Sequence, residues 1–272
     1  MPDVSVKEAK ERVKTAIKNS NVEFQSKKIV VNLAPADTKK EGSSYDLPIA
    51  IGILISMEII IKKANLDNIA FIGELSLDGR INKVNGILPM CIEAKRLGIK
   101  QIIVPEENAK EAGIVTEIEI LPAKNLLEVI NFLNKEGTIE PIKVNIGELF
   151  TSNLKYNLDF SEVKGQENIK RALEVAAAGS HNCLLIGSPG SGKTMLARRL
   201  PTILPDLSFE EALEITKIHS VAGILKQDIP LITTRPFRAP HHTVSGVSLA
   251  GGGRIPKPRR NKLGTLWCTF FR

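Results

Sequence analysis

A run of eight residues from Gly187 to Thr194 combines the residue types that hold a polyphosphate. The run fits G-x-x-x-x-G-K-[ST], the pattern of a phosphate-binding P-loop. Glycines in such a loop let backbone N–H groups point at phosphate oxygens, where side chains would block the approach. We expect Lys193 to reach the β- and γ-phosphates of ATP and the Thr194 hydroxyl to hold Mg²⁺. The candidate cofactor-binding residues are Gly187, Ser188, Pro189, Gly190, Ser191, Gly192, Lys193 and Thr194.

The segments on either side of this loop fit the strand–loop–helix context that a P-loop requires. Asn182 to Ile186 is short and apolar, which predicts a buried parallel strand leading into the loop. Met195 to Leu200 contains good helix formers and predicts a helix leading out of it. The flanks therefore favour a nucleotide site over a chance glycine-rich turn.

The length of the chain allows two domains, and the distribution of its charge bears on whether it binds a polyanion. The chain has 272 residues, enough for two domains, and a formal net charge of +7. Four of those positive charges, with no acidic residue, lie in the tail 259–272. The rest of the chain is only weakly basic, which gives little support for a polyanionic partner.

Cysteine spacing and hydropathy predict a cytoplasmic protein without a membrane segment. Cys91, Cys183 and Cys268 are far apart and lack the spacing of a metal site or a disulfide framework. The N-terminus runs directly into a charged helical pattern rather than a signal peptide. The longest apolar run, Leu47 to Ile61, is too short to span a bilayer and predicts a buried helix.

Hydrophobic periodicity predicts a mixed α/β domain over residues 1–140 and a linker over 141–159. The predicted helices are Val4–Asn19, a buried helix that Asp46 opens, Ile87–Leu97, Glu106–Ala112 and Leu126–Asn134. The predicted strands are Lys28–Leu33, Gln101–Val104 and Glu117–Leu121, with a hairpin over Ile69–Ile81.

A second, partial domain is predicted over residues 160–258. A helix covers Glu167–Ala178, and Ser208 with Glu211 forms a capping box for another helix that runs to Ile218. The segment from 235 onward is long and rich in Gly, Pro and His, which is typical of a functional or a disordered segment.

No metal ligand other than Thr194, and no catalytic residue, is predicted. His241 and His242 are adjacent, so on a strand they would face opposite sides and could not easily share one metal ion.

Several motifs resemble the Mg chelatase-type AAA+ ATPases, in particular the ComM/YifB branch of Mg chelatase-like proteins. In the second half they are Val163-Lys164-Gly165-Gln166, Gly187 to Thr194, Arg235 to Thr243 and Gly251 to Pro258. In the first half they are Pro2 to Glu8, Asn32 to Asp37 and Tyr45 to Ala50. The resemblance implies an α/β chain. It would have an N-terminal Lon-protease-like (ribosomal S5 domain 2-like) α+β domain, followed by an incomplete P-loop AAA+ domain.

The resemblance also implies a function, cofactors and partners. Members of this family are ATPases that use ATP and Mg²⁺ and form homo-oligomeric rings, which are hexamers in this family. They act on DNA, driving branch migration during natural transformation, so DNA is an implied partner and competence an implied role. Val163 and Gln166 match family positions near the nucleotide base, and we add them to the candidate binding residues.

Two departures from the family pattern bear on activity. The family has further strands before the position of Pro2, so the chain is expected to start late. It also stops before the Walker B motif, the sensor residues and the arginine finger, which position water and stabilise transition-state charge. We therefore expect an ATP-binding fragment that does not hydrolyse ATP. The alternative is a non-functional truncated product with an unstable second domain, because a sheet that lacks a central strand leaves apolar surface and a raw edge.

A second resemblance, to the proteolytic domain of Lon, raises a Ser–Lys peptidase as another alternative. Ser44 matches the serine nucleophile of that family, and Phe71 to Arg80 and Gly98 to Lys100 extend the similarity. The base lysine would fall at Leu88, whose aliphatic side chain cannot accept the serine proton. We therefore expect a Lon-like domain without a catalytic dyad, in which Ser44 is a turn residue.

The tail 259–272 differs in composition from everything before it and holds Trp267, the chain's one tryptophan. A permitted set of codons for this tail, with the first base removed, translates to Gly-Glu-Ile-Ser-Leu-Ala-His-Phe-Gly-Val-Leu-Phe-Leu-Asp. The family continues at this point with Gly-Glu-Ile-Ser-Leu-Ala-His and an apolar Walker B strand ending in Asp-Glu. We therefore expect an out-of-frame tail in which Trp267, Phe270 and Phe271 are poorly packed.

Overall fold

A computed structural model describes residues 4–22, 29–32, 43–61, 66–152, 156, 158–226, 228–239 and 268–269. The chain divides into two compact units. The first contains residues 1–144 and 226–230, and the second contains residues 145–225 and 231–272. The P-loop segment lies in the second unit.

The first unit is built on a three-stranded parallel sheet. The described strands of this unit, in chain order, are β1 (Ile69–Phe71), β2 (Glu74–Leu75), β3 (Ile81–Asn82), β4 (Gln101–Pro105) and β5 (Glu119–Ala123). The sheet has the order β1-β4-β5, with Ile69 opposite Gln101 and Gln101 opposite Glu119. Residues 102–105 of β4 are all buried, because a central parallel strand is covered on both faces.

Five helices accompany this sheet. They are α1 (Val4–Asn19), α2 (Asp46–Ser56), α3 (Ile87–Arg96), α4 (Ala109–Ala112) and α5 (Leu126–Asn134), with 3₁₀ turns at Leu66–Asn68 and Glu106–Asn108. The prediction for α1 and for α5 is confirmed residue for residue. Helix α3 ends one residue before the predicted Leu97, and Gly98 follows with a φ of 81°, a conformation that favours glycine.

Helices α1 and α2 pack together around apolar residues and one ion pair. Val13 and Ile17 of α1 and Leu54 of α2 belong to the same buried core cluster. Above it the Arg12 guanidinium donates to both carboxylate oxygens of Asp46, across 2.7 and 3.1 Å. Asp46 is almost fully buried, and this bidentate pairing offsets the cost of removing its charge from water.

In the first unit one predicted strand is wrong and one predicted hairpin is confirmed in part. Residues 29–32 of the predicted strand Lys28–Leu33 are not in a strand, because they pair with no described strand, and the Val30 side chain is 83% exposed. The hairpin predicted over Ile69–Ile81 is confirmed around its predicted turn at Leu77–Gly79, where β2 and β3 pair antiparallel, but it does not include β1, which joins β4 in the main sheet.

The edges of two further elements shift for local reasons. Strand β5 begins two residues later than predicted, since Glu117 has a φ of 71° and cannot continue a strand. Helix α2 begins at Asp46 as predicted but ends at Ser56, because the chain turns at Glu58 with a φ of 63°.

The second unit consists mainly of helices. Its elements are α6 (Ile146–Ser152), α7 (Glu167–Gly179), α8 (Lys193–Arg199), α9 (Phe209–Ala222), β6 (Phe237–Arg238) and β7 (Cys268–Thr269), with 3₁₀ turns at Phe160–Glu162 and Leu200–Ile203. Helix α6 falls in the segment predicted as a linker. Strands β6 and β7 pair in parallel, while Trp267, Phe270 and Phe271 lie outside the described residues.

Helix α9 confirms the predicted capping box. The Ser208 hydroxyl accepts from the Glu211 N–H, and the Glu211 carboxylate accepts from the Ser208 N–H across 3.1 Å. The helix continues past the predicted Ile218 to Ala222, where Gly223 ends it with a φ of 69°.

The predicted strand Asn182–Ile186 is not formed. Residues 181–188 have no regular secondary structure, and the side chains of Leu184 and Ile186 are 83% and 87% exposed. A parallel strand needs neighbours on its edges, and no described residue pairs with this segment.

Among the described helices, none combines the length and apolar character needed to cross a bilayer.

Candidate nucleotide-binding site

The loop 187–194 has backbone geometry that only glycine accommodates well at two positions. Gly190 and Gly192 have φ values of 83° and 86°, in the left-handed region that L side chains rarely adopt. A Cβ on Gly187 would lie 3.1 Å from the Ser191 hydroxyl and 3.9 Å from the Lys193 ammonium. The glycines therefore allow the tight curvature and keep side chains out of its concave side.

The Lys193 ammonium is turned into this loop. It donates to the carbonyl oxygens of Gly187 and Ser188 across 2.8 and 2.7 Å, and to the Ser191 hydroxyl across 3.1 Å. An ammonium has three N–H donors, so these three acceptors match its full capacity. The loop thus holds a cation where the motif predicts a phosphate-binding lysine.

Thr194 is the second residue of α8, the helix that leaves the loop. Among the described residues no partner bonds to its hydroxyl, which leaves it available as an oxygen ligand for Mg²⁺. Those residues contain no cluster of three or more His, Cys, Asp or Glu side chains suited to a metal ion. Thr194 as a ligand of Mg²⁺ therefore stays a prediction.

An apolar cluster holds α8 beneath the loop. Phe160, Val163, Leu173 and Leu196 are buried together, so α8 packs against α7 and the 3₁₀ turn at 160–162. Val163 is 2% exposed, and its side chain lies in this core. A role of Val163 next to a nucleotide base stays a prediction, whereas its packing in the apolar cluster is observed.

Gln166 lies at the loop itself. Its side-chain amide nitrogen is 3.5 Å from the position a Cβ on Gly192 would occupy. The residue is exposed and has a φ of 57°, a left-handed conformation at the start of α7. Sequence reasoning placed Gln166 near the site but did not identify this contact.

Two family models match the chain. One, described as subunit ChlI of Mg-chelatase, matches residues 1–108, and another, described as magnesium chelatase subunit ChlI, matches residues 159–265. The competence protein ComM of Haemophilus influenzae is 40% identical over the whole chain, and YifB of Escherichia coli is 44% identical over 95% of it. This chain belongs to the ComM/YifB family of Mg chelatase-like proteins. It spans about half the length of these relatives, 53% of ComM and 50% of YifB.

The first unit of this ComM/YifB family member is also similar to Lon protease. The Lon protease of Rhizobium meliloti is 33% identical over 39% of this chain and 14% of its own length. Leu88, at the predicted position of the base lysine, is fully buried in the first turn of α3. The Ser44 side chain is half-buried in the turn before α2, as expected for a turn residue, and its hydroxyl has no bonding partner among the described residues.

A buried polar cluster lies next to Leu88. The Asn108 amide exchanges hydrogen bonds with the backbone N–H and carbonyl of Val84, across 2.9 and 3.0 Å. The nearly buried Glu111 carboxylate accepts from the Leu88 N–H across 3.4 Å. This cluster satisfies the backbone around the start of α3 and was not predicted from sequence, because the side chains lie 24 and 23 positions from the backbone groups that they bond.

Arg235, the first residue of the family motif Arg235 to Thr243, forms hydrogen bonds with three other residues of the second unit. Its guanidinium donates to the Pro205 carbonyl across 2.7 Å and to Glu211 across 3.1 Å, and its N–H donates to the Tyr156 hydroxyl. The remaining motif residues from 240 onward, with His241 and His242, lie outside the described residues.

Proposed function

We propose that this chain binds ATP with Mg²⁺ through the loop Gly187–Thr194. The observation that carries the proposal is the Lys193 ammonium, which is held inside a glycine-lined loop by two carbonyls and the Ser191 hydroxyl. On binding, the three N–H donors of this ammonium would exchange these acceptors for the oxygens of a polyphosphate, and the space beside Gly190 is open, with no atom within 4 Å of a Cβ placed there. The bound Mg²⁺ would neutralise phosphate charge, with Thr194 as its protein ligand.

ATP turnover by this chain should stay at background. After Thr194 the described residues contain no carboxylate that follows an apolar strand, which is where a Walker B acid would lie. Membership in the ComM/YifB family supports nucleotide use. A steady release of phosphate that Lys193→Ala eliminates would contradict this part of the proposal.

Action on DNA and ring formation are proposed at the level of the family. The relative ComM is named a competence protein, and the family resemblance implies DNA branch migration by hexameric rings. The chain spans about half the length of these relatives. Action on DNA and ring formation are therefore proposed for a full-length protein of this family. Within this chain, the supported part is the nucleotide site.

A separate observation favours a second candidate, in which the second unit is unstable and has no function. Leu184 and Ile186 stand 83% and 87% exposed immediately before the loop. Exposed apolar side chains of this kind favour aggregation over a well-folded site. If this candidate holds, the second unit gives no cooperative melting transition.

Thermal unfolding with and without nucleotide distinguishes the two candidates. A ligand that binds only the folded state raises the melting temperature. At a ligand concentration a hundred times the dissociation constant, the free energy of unfolding increases by about 2.7 kcal/mol. We expect Mg-ATP to raise the melting temperature of the wild type and to leave that of Lys193→Ala unchanged. A melt with no transition for the second unit would support the unstable product instead.

A further inference from the structure

Three lysines lie along one exposed strip of α1 in the first unit. Lys10, Lys14 and Lys18 follow one another at intervals of four residues, so they lie on the same side of a helix with 3.6 residues per turn. With a rise of about 1.5 Å per residue, this lysine strip is about 12 Å long. All three lysines are exposed, because α1 buries a different face, which contains Val13 and Ile17.

The positive charge of the lysine strip is not neutralised by the described part of the chain. None of the three lysines forms an ion pair with a described residue. The arginine of the same helix behaves differently, because Arg12 pairs with the buried Asp46 and with Glu8. The acidic residues of α1, Glu8 and Glu11, lie to one side of the strip rather than within it. The helix therefore presents a line of unpaired cations to solvent.

This line of charge fits the phosphate backbone of a nucleic-acid duplex. A duplex carries one negative charge per about 1.7 Å of its axis, so a strip of about 12 Å spans about seven phosphates. Each lysine is a compact charge on a flexible stem, which can reach a phosphate oxygen without a fixed geometry.

Two other polyanions fit the helix less well. Helix α1 contains no aromatic residue that could stack on the bases of a single strand. A helix that binds a membrane surface inserts its apolar face into the lipid, whereas the apolar face of α1 is packed in the protein core.

We propose that the lysine strip of α1 binds the phosphate backbone of duplex DNA without reading its sequence. Contacts to phosphates position a duplex but carry no sequence information. The inference rests on the action on DNA proposed above, to which it adds a site in the first unit. It is independent of ATP binding, because the loop Gly187–Thr194 belongs to the second unit.

The test measures binding of the full chain to a short fluorescent duplex by anisotropy, over a range of salt from about 50 to about 200 mM. Glutamine replaces lysine because the two have similar helix propensities. The strip variant carries Lys10→Gln, Lys14→Gln and Lys18→Gln. The matched control removes three exposed lysines elsewhere in the same unit, Lys100→Gln, Lys110→Gln and Lys143→Gln. Circular dichroism checks that each variant keeps its helices.

We expect the strip variant to bind the duplex about tenfold or more weakly at low salt, because three phosphate contacts are lost. The plot of log affinity against log salt should become shallower by about 2.7, which is about 0.9 for each lysine. The control should change the affinity and the slope much less, and duplexes of different sequence should give the same result. Equal losses in the strip variant and the control would show that only net charge matters and would overturn the inference.

A further variant, Glu11→Gln, gives a gain that unfolding cannot mimic. It removes the acidic residue three positions before Lys14, so duplex binding should tighten by about twofold at low salt. An unchanged affinity would contradict a duplex contact at the strip.

Two controls separate this inference from its alternatives. Vesicles that contain phosphatidylserine test a membrane surface, and binding to them that depends on the strip, with unchanged duplex binding, would overturn the inference. Duplex binding that the strip variant retains would place the DNA contact elsewhere in the chain, which removes this inference and keeps the proposed action on DNA. A wild type that binds no duplex removes the inference and leaves the proposed ATP binding as it stands.

Discussion

The backbone N–H of Leu88 donates to the carboxylate of Glu111 across 3.4 Å, inside the Lon-like unit. Leu88 is fully buried where a Ser–Lys peptidase would carry its base. A serine without a base is a weak nucleophile, so we expect no peptidase activity. A fluorophosphonate probe should leave Ser44 unlabelled. Labelling that Ser44→Ala abolishes and Ser43→Ala retains would contradict this prediction.

The two cysteines whose surroundings are described should differ sharply in reactivity. Burial, helped by the Glu111 charge, raises the pKa of the Cys91 thiol to about 12, while Cys183 is exposed ahead of the P-loop. Iodoacetamide at about pH 8 reacts with thiolates and needs access to the sulfur. We expect rapid alkylation of Cys183 and alkylation of Cys91 only after unfolding, measured by peptide mass spectrometry. Slow modification of native Cys183 would mean that the segment 182–186 is covered.

The second unit should lose stability in mild acid through His219. Burial, with the nearby Arg238 charge, lowers the pKa of His219 from 6.5 to about 4. Between those values the unfolded chain binds a proton that the folded chain does not, so the free energy of unfolding falls as the pH falls. The slope contributed by one such group is about 1 kcal/mol per pH unit and disappears below the folded pKa.

Urea unfolding at a series of pH values measures this slope. His219→Gln should flatten it, and His181→Gln, which changes an exposed histidine of the same unit, should keep it. An equal slope in the wild type and in His219→Gln would show that other groups cause the acid sensitivity.

Most helices, with the exception of α6, were predictable from the sequence because their signals are local. The apolar spacing of α1 and the Ser208–Glu211 capping box lie within a few residues, and both are found as predicted. Strands depend on partners elsewhere in the chain. The apolar segments 29–32 and 182–186 have strand-like composition, but no described residues pair with them, so composition alone led to wrong predictions.

The candidate site divides in the same way. The loop Gly187–Thr194 is a contiguous motif, so its residues and the chemistry expected of Lys193 could be named from sequence. The contacts that hold the following helix could not, because Arg199 donates to the carbonyl of Asp159, forty positions earlier in the chain. No local pattern reports contacts at such separations.

The tail should prove to be out-of-frame coding. Sequencing the gene through the Pro258–Arg259 junction should recover, in the adjacent frame, the strand Phe-Gly-Val-Leu-Phe-Leu-Asp followed by an acidic codon. The physical reason to expect it is that an apolar strand ending in carboxylates would supply an Mg²⁺-binding acid, which the described residues after Thr194 do not provide at the end of a strand. An adjacent frame that encodes no such strand would refute the prediction.

The central claim is that Lys193 and its loop bind Mg-ATP, and titration calorimetry tests it most directly. The comparison is among the wild type, Lys193→Ala and Lys217→Ala, which removes a lysine of α9 that pairs with Glu214. We predict saturable binding at one site by the wild type and by Lys217→Ala, with no detectable heat of binding for Lys193→Ala. Equal affinity of the wild type and Lys193→Ala for Mg-ATP would contradict the account.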